Sequence, residues 1–262
     1  MRIISNLLLP FVSHKYLLFQ LTQREIKARY KQSFVGYAWV LLNPLAQMLI
    51  YTFVFSMVFR FPTNNIPYQV FLFAALLPWT TFQTSILAAT QSLVDNAVLL
   101  RKVAFPREII PYSVVMAKIV DFVFSSLVFA GLAIFFQVHL AVTAPIFILL
   151  FVCQIILATG ISLILSTLNL LYRDIQYLAN LLMTIWMYLT PVVYPLSMVP
   201  RQYVWLYKLN PMVGIVEGYR SALFGYPFET TIIAWSIGVS VLVFVFGYII
   251  FKRTEKVFAD IV

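Results

Sequence analysis

Chemistry has few places to reside in this chain, because only 10% of its residues are charged. An ionisable residue inside an apolar run is a functional suspect, since holding it away from water is costly. Lys118 and Asp121 stand three apart within such a run, so on a helix they share a face and neutralise each other. Glu217 and Arg220 repeat that spacing with Tyr219 between them. A third group is purely cationic: Arg24, Lys27, Arg29 and Lys31 lie in HKYLLFQLTQREIKARYKQ, His14 to Gln32. At helical spacing Gln20, Arg24, Lys27 and Lys31 form one stripe, and Phe19, Ile26 and Tyr30 form another, which predicts an amphipathic helix lying on a membrane surface. Either that helix only anchors topology, or its cations receive a phosphate-bearing lipid, for which Arg offers a bidentate donor pair. His14 and His139 have no carboxylate placed to orient them, and Cys153 is the single cysteine. No catalytic triad, carboxylate pair, metal site or disulfide is therefore expected.

Rings are the other abundant resource. Aromatics reach 17%, with 24 Phe and 15 Tyr, more than a plain bundle of lipid-facing helices requires. Aromatic faces can stack on apolar ligand faces without demanding one hydrogen-bonding pattern, so a ring-lined surface could hold a ligand weakly at many points. Tyr37, Trp39, Phe53, Phe55, Trp186, Tyr188 and Tyr194 are the candidates. The competing reading of each is an interfacial aromatic belt or a lipid-facing ring.

The elements that must position these residues are membrane spans. At 62% hydrophobic residues and a mean hydropathy of +0.93, the 262-residue chain is too apolar for a soluble domain. Six runs are long enough to cross a bilayer: Phe34 to Phe59, Tyr68 to Val94, Ile109 to Gln137, Pro145 to Leu171, Ile175 to Tyr194, and Thr230 to Phe251. The stretch from Pro195 to Glu229 is apolar too, but Pro195, Pro200, Pro211, Gly214, Gly218, Gly225 and Pro227 prevent one straight helix. Short re-entrant or interfacial helices are expected there, where protein or water can satisfy the backbone. Asn43-Pro44, Pro78, Thr190-Pro191 and Tyr194-Pro195 should kink the spans that carry them. The result is an all-α integral membrane protein with one transmembrane domain. Its parts are an amphipathic segment (1–33), five spans (34–194), a proline- and glycine-broken region (195–229), a sixth span (230–251) and a tail (252–262). The opening MRIISNLLLP resembles a signal peptide, but Pro10 interrupts it and no small-residue cleavage site follows, so it is expected to be retained.

Orientation follows from Lys and Arg. With both termini in the cytoplasm, the inside holds Arg2, Lys15, Arg24, Lys27, Arg29, Lys31, Arg101, Lys102, Arg107, Arg173, Lys252, Arg253 and Lys256. The outside holds only Arg60, Arg201, Lys208 and Arg220, and Lys118 completes the total of 18. The net charge of +9 would suggest nucleic acid in a soluble chain; here, between apolar runs, it points to lipid head groups and no nucleic acid. Between the second and third spans, DNAVLLRKVAFPREIIP (Asp95 to Pro111) is too apolar for a solvated linker. It reads as a docking helix for a cytoplasmic partner, or as a helix resting on the membrane.

Four blocks taken together carry a resemblance: LTQREIKARYKQSFVGYAWVLLNPL (Leu21 to Leu45), NAVLLRKVAFPREI (Asn96 to Ile109), YRDI (Tyr172 to Ile175) and LNPMVGIVEGYRSALFG (Leu209 to Gly225). The chain resembles, over nearly its whole length, the membrane subunit of type-two ABC exporters for polysaccharides such as O-antigen, capsule or teichoic acid. The resemblance implies a homodimer of this subunit in the bacterial inner membrane, on two copies of a nucleotide-binding ATPase, moving an undecaprenyl-type lipid-linked polymer. It implies a coupling helix near Asn96, Leu99, Leu100, Arg101, Lys102 and Phe105, and an outer gate at Pro211, Glu217, Tyr219 and Arg220. It also places the first and fifth spans along the pathway. The chain has no GxxxxGK[ST] loop, so no cofactor is expected on it, and ATP and magnesium would sit on the partner. A drug or small-lipid exporter is the alternative within transport. A membrane glycosyltransferase lacks an acidic pair or Asp-rich motif, and a passive channel would not need the docking loop.

Overall fold

The computed structural model describes residues 13–30, 35–58 and 66–258, and those residues form ten α-helices with short 3-10 and π segments between them. In chain order they are α1 (Lys15–Tyr30), α2 (Trp39–Thr52), α3 (Tyr68–Asp95), α4 (Ala97–Lys102) and α5 (Ile109–Phe135), then α6 (Phe147–Leu171), α7 (Ile175–Tyr188), α8 (Val204–Leu209), α9 (Pro211–Phe224) and α10 (Thr230–Thr254). Four are long and apolar enough to cross a membrane: α3, α5, α6 with its leading 3-10 turn, and α10 with its trailing one. The chain is a multi-pass membrane protein.

The other two expected spans are shorter than their apolar runs. α2 starts only at Trp39, after a 3-10 turn at Gly36–Ala38, and continues past Thr52 as a π-helix over Phe53–Val58. Phe34 and Phe59, its expected ends, lie outside the described residues. α7 has 14 residues and stops at Tyr188 rather than Tyr194. The reason is Pro191: it has no N–H for an intrahelical bond and keeps Thr190 from continuing the helix.

α3 is the central column, packed against α2, α5, α6, α7 and α9. Its most apolar stretch is 78% buried, against 22% for α5, so α5 lies at the periphery. α6 and α10 meet without side chains between them: a Cβ on Gly247 would lie 2.3 Å from the Gly160 carbonyl oxygen, and one on Gly160 would lie 2.6 Å from Phe244 Cα. Only hydrogen at both positions permits that approach.

The apolar interior is divided. The larger cluster runs through α3, α5, α6, α7 and α9, and a second one sits at the end of the bundle that carries α1 and α4. There Leu21, Leu93, Leu100, Ile109, Tyr112, Phe251 and Phe258 are buried together, with Leu17, Leu18, Leu99 and Phe105 packed on them. The inward face of α1 is thus Leu17, Leu18 and Leu21, while Phe19, expected on the apolar stripe, is 57% exposed. α1 rests on α5.

Candidate functional site

Residues with chemical potential collect at the two ends of the bundle and in one cavity between them. At the α8–α9 end, local sequence sets the frame. Asn210 caps α9 by accepting a 3.0 Å hydrogen bond from the Met212 N–H, Pro211 occupies the first helical turn, and Gly225 ends the helix in the left-handed conformation at φ 73°. The same Asn210 side chain accepts from Trp186 Nε1 at 2.8 Å and donates to Thr190 Oγ1 at 2.9 Å. It therefore fastens α9 to the frayed end of α7. Asn210 was not among the candidates from sequence; an Asn-Pro pair at a helix start was the signal that could have found it.

Arg220 is the buried centre of this end, with 1% of its surface exposed. Its Nη1 donates to Glu217 Oε1 and to the Pro191 carbonyl, both at 2.7 Å, and its Nη2 donates to the Val192 carbonyl at 2.9 Å. Its Nε has no hydrogen-bond partner among the described residues. One guanidinium thus replaces the helical bonds that the Thr190–Tyr194 segment lost at Pro191. Tyr219 is buried on the other side, 3.4 Å from Gln154 Oε1, and Gln154 also donates to the Pro78 carbonyl at 2.9 Å. Pro78 of α3 is therefore tied through Gln154 of α6 to Tyr219 of α9. Beside Arg220 lies a cavity of about 500 Å³ bordered by Phe71, Arg201, Glu217, Ser221, Tyr226 and Glu229.

The ring candidates do not converge on one surface of the single chain. Trp186 is half-buried and meets Phe82 edge-on at 5.3 Å. Tyr194 hydrogen-bonds the Tyr188 carbonyl at 2.7 Å and the Tyr207 hydroxyl at 3.0 Å. Phe55 packs on the larger cluster near Tyr51, whereas Trp39, Phe53 and Tyr188 are exposed. The side chain of Tyr37 lies outside the described residues. Many of the other rings, including Trp79, Phe82, Phe122 and Tyr219, are ordinary interior packing.

At the opposite end the α4 loop faces two ways. Leu100 is 2% exposed and Asn96 7%, and Leu99 and Phe105 pack on the second apolar cluster. Leu100 thus packs within its own chain, and Phe105 is partly buried against the same cluster. Its outward face is Val98, Arg101, Lys102, Val103 and Ala104. Arg24 of α1 donates to Asn96 Oδ1, and Asn96 Nδ2 donates to the Ser92 carbonyl at 2.8 Å, so the basic helix is hydrogen-bonded to the joint between α3 and α4. Arg24 and Lys27 border a shallow groove on α1 with Gln20 and Gln23. Arg29 lies in α1 with its side chain outside the described residues, as does all of Lys31.

Just beyond α4, Lys252 of α10 bonds Glu108 at 2.7 Å and Glu255 at 2.8 Å, and the Arg107 N–H donates to Glu255 at 3.0 Å. Glu108 is only 1% exposed. Burial lowers the Lys252 pKa, but its bonds to Glu108 and Glu255 outweigh that and hold the ammonium above the ordinary lysine range. The loop after α4 is therefore locked to the end of α10.

The family described as ABC-2 type transporter matches residues 16–224. The chain is 34% identical over 213 residues, 80% of its length and 81% of the relative's, to the O-antigen export system permease protein RfbA of Myxococcus xanthus. It is 31% identical over 249 residues, 94% of both chains, to a protein of the same name from Klebsiella pneumoniae. It is 24% identical over 243 residues, 89% of this chain and 91% of the relative, to the polysialic acid transport protein KpsM of Escherichia coli.

Proposed function

We propose, from the premise that the chain belongs to the ABC-2 type transporter family, that it is the permease half of an exporter carrying a lipid-linked polysaccharide out of the cytoplasm, with O-antigen as the favoured polymer. The relatives named for O-antigen export support that choice, and the one named for polysialic acid transport keeps a capsule polymer as the second reading. The permease works as a homodimer in the bacterial inner membrane with both termini in the cytoplasm, and α2 and α7 complete six spans. ATP and magnesium are held by a separate ATPase subunit that docks on Val98, Arg101, Lys102 and Val103. The cations of α1 receive the diphosphate of an undecaprenyl-type carrier. The Glu217–Arg220 pair holds the outer gate.

The observation that carries this reading is the surface of α7. Its own chain buries only Ala179, Met183 and Met187. Beside that stripe lies an exposed apolar one of Leu178, Leu181, Leu182, Ile185 and Leu189, and then an exposed polar and aromatic one of Tyr177, Asn180, Thr184 and Tyr188. The apolar stripe suits lipid or a second copy, and the polar one suits a conduit. The Asn180 amide donates to the Gln176 carbonyl and the Thr184 hydroxyl to the Asn180 carbonyl, both at 2.9 Å. Those bonds leave side-chain oxygens as acceptors for sugar hydroxyls, between rings on which sugars can stack.

The test is export in proteoliposomes containing the permease, its ATPase and lipid-linked polymer. The double variant Asn180→Leu, Thr184→Val should slow polymer appearance at least about tenfold, the loss of roughly one or two net hydrogen bonds per sugar contact, with ATP turnover continuing. Undiminished export by that variant would remove α7 from the pathway, and transport of small lipids without polymer would reject the polysaccharide reading.

A further inference from the structure

A polar cavity of about 480 Å³ lies between α2, α3 and α5, bordered by Trp39, Asn43, Gln47, Thr84, Lys118 and Asp121, with Ser125 beside them. Lys118 and Asp121 form an ion pair at 3.2 Å, with 14% and 19% of their side chains exposed. They are close to buried but not sealed. If the pair were only self-neutralising, as its spacing first suggests, it would need no cavity and no lining of amides and hydroxyls around it.

The cavity's position narrows what could fill it. It opens on the α5 side of α2, while the far end of α2 meets α7 through Tyr51 and Met187, 3.9 Å apart. The cavity is therefore not on the polar face of α7. Its depth follows from α5: Tyr112 packs with Leu21 of α1 in the second apolar cluster, and Lys118 is six residues further along, about 9 Å of helical rise. A ligand would sit nearly two turns beyond the surface helix, where head groups give way to acyl chains. Trp39, 46% exposed at the start of α2, is the residue type that favours that level. Leu42 and Phe124, each one residue in sequence from a lining residue, are exposed and apolar, as acyl chains require.

The charge of the lining narrows it further. One cation and one anion give no net attraction for a doubly charged diphosphate, so the site does not duplicate the basic groove on α1. It matches a ligand that carries both signs. We infer that this cavity binds the head group of a zwitterionic aminophospholipid, with Lys118 donating to the phosphate and Asp121 accepting from the ammonium. Gln47, Thr84 and Ser125 supply further oxygens for the remaining ammonium N–H groups, which an N-trimethylated head group would lack. The bound lipid opens the ion pair and replaces each partner by an opposite charge of its own, so neither side chain loses its countercharge.

The experiment is native mass spectrometry of the permease with its ATPase, released from nanodiscs holding equal amounts of phosphatidylethanolamine, phosphatidylcholine and phosphatidylglycerol. Retained phosphatidylethanolamine should exceed phosphatidylcholine by about tenfold, the worth of one charge-assisted hydrogen bond near 1.4 kcal/mol. Asp121→Asn should abolish the preference, whereas Lys118→Gln should lower retention of phosphatidylethanolamine and phosphatidylcholine alike, since both carry the phosphate. Thr84→Leu, which fills the cavity and keeps both charges, should also abolish the preference and serves where a charge variant misassembles. Equal retention of the three lipids by the unaltered protein would overturn the proposal, as would a preference for phosphatidylglycerol. Displacement of the retained lipid by a soluble oligosaccharide would also overturn it, because the cavity would then be a sugar site.

Discussion

The guanidinium carbon of Arg220 lies 3.8 Å from the centroid of the Phe71 ring. That contact joins α9 to α3 on one side of the charge, while Glu217 and the carbonyls of Pro191 and Val192 occupy its edge. A cation–π contact is strongest where water is excluded, as it is here. Arg220→Met would leave two buried carbonyls unsatisfied and Glu217 without its cation. We expect a loss of about 3 kcal/mol in stability, the usual cost of breaking a buried pair, seen as a lower unfolding temperature in detergent. Arg220→Lys should recover only part of it, because an ammonium cannot span Glu217 and two separate carbonyls in one plane. Glu217→Gln, which keeps an acceptor at a half-exposed position, should cost less than either. Equal stability of all three would remove Arg220 as the clamp on the Pro191 turn.

The α4 loop separates assembly from folding. Leu100→Asp would put a carboxylate into the second apolar cluster and should reduce recovery of the folded permease itself, by several kcal/mol of burial penalty. Val98→Asp and Arg101→Glu change only the outward face. They should leave the unfolding temperature unchanged while ATPase co-purification falls at least about tenfold, as for loss of an interface anchor. Normal co-purification with Val98→Asp would place the docking surface elsewhere.

The two faces of α4 were not legible in the sequence for a simple reason. Val98, Leu99 and Leu100 are consecutive apolar residues in a helix of only six, so spacing cannot say which of them points inward. α1 misled in the opposite way: Phe19, Ile26 and Tyr30 made a plausible stripe, but Leu17, Leu18 and Leu21 carry the packing because α5 covers that side. Long spans such as α3 and α5 were readable to within a residue or two, since length and hydropathy alone define them. So was the i, i+3 pairing of Glu217 with Arg220, found at 2.7 Å. What Arg220 also does for the Pro191 turn depends on residues about thirty positions away, which no local pattern encodes.

Lys252 links pH to the joint between the α4 loop and α10. Its pKa is raised in the folded protein, so the stabilisation is complete below the ordinary lysine value and is lost as pH rises through the higher folded value. Lys252→Met would leave Glu108, 1% exposed, without that cation. With Lys252 itself 32% exposed, solvent softens the penalty to about 2 kcal/mol. The gap in unfolding temperature between the parent and Lys252→Met should be full below the ordinary lysine range and shrink as pH rises through the raised folded value. A gap that widens with pH would contradict the assignment.

The glycine contact between α6 and α10 tolerates no side chain. Gly160→Ala and Gly247→Ala each place a methyl group against backbone, which cannot rotate away as a side chain would. Each should destabilise by about 2 kcal/mol or more, an overpacking cost. Gly131 and Gly238 have nothing within 4 Å of an added Cβ, and alanine there should be neutral or slightly stabilising through helix propensity. Thermal unfolding of the four alanine variants in detergent would show the split, and four similar values would refute the close approach.

Arg24 and Lys27 should behave differently although they share one stripe of α1. Both border the groove proposed to receive the carrier diphosphate, but only Arg24 also reaches Asn96 at the joint between α3 and α4. Lys27→Gln removes one cation near an anionic surface, worth about 1 kcal/mol, and should raise the polymer concentration needed for half-maximal export about fivefold without altering ATP turnover. Arg24→Gln removes that cation and also the bond to the joint. It should produce the same shift and, in addition, weaken the dependence of ATP turnover on lipid-linked polymer, because α1 is no longer tied to the segment leading into α4. Asn96→Ala should reproduce the second effect without the first. The comparison needs reconstituted export and ATP turnover measured on the same proteoliposomes. If Asn96→Ala leaves polymer-stimulated turnover intact, the Arg24–Asn96 bond is a packing contact and α1 acts only through its charge.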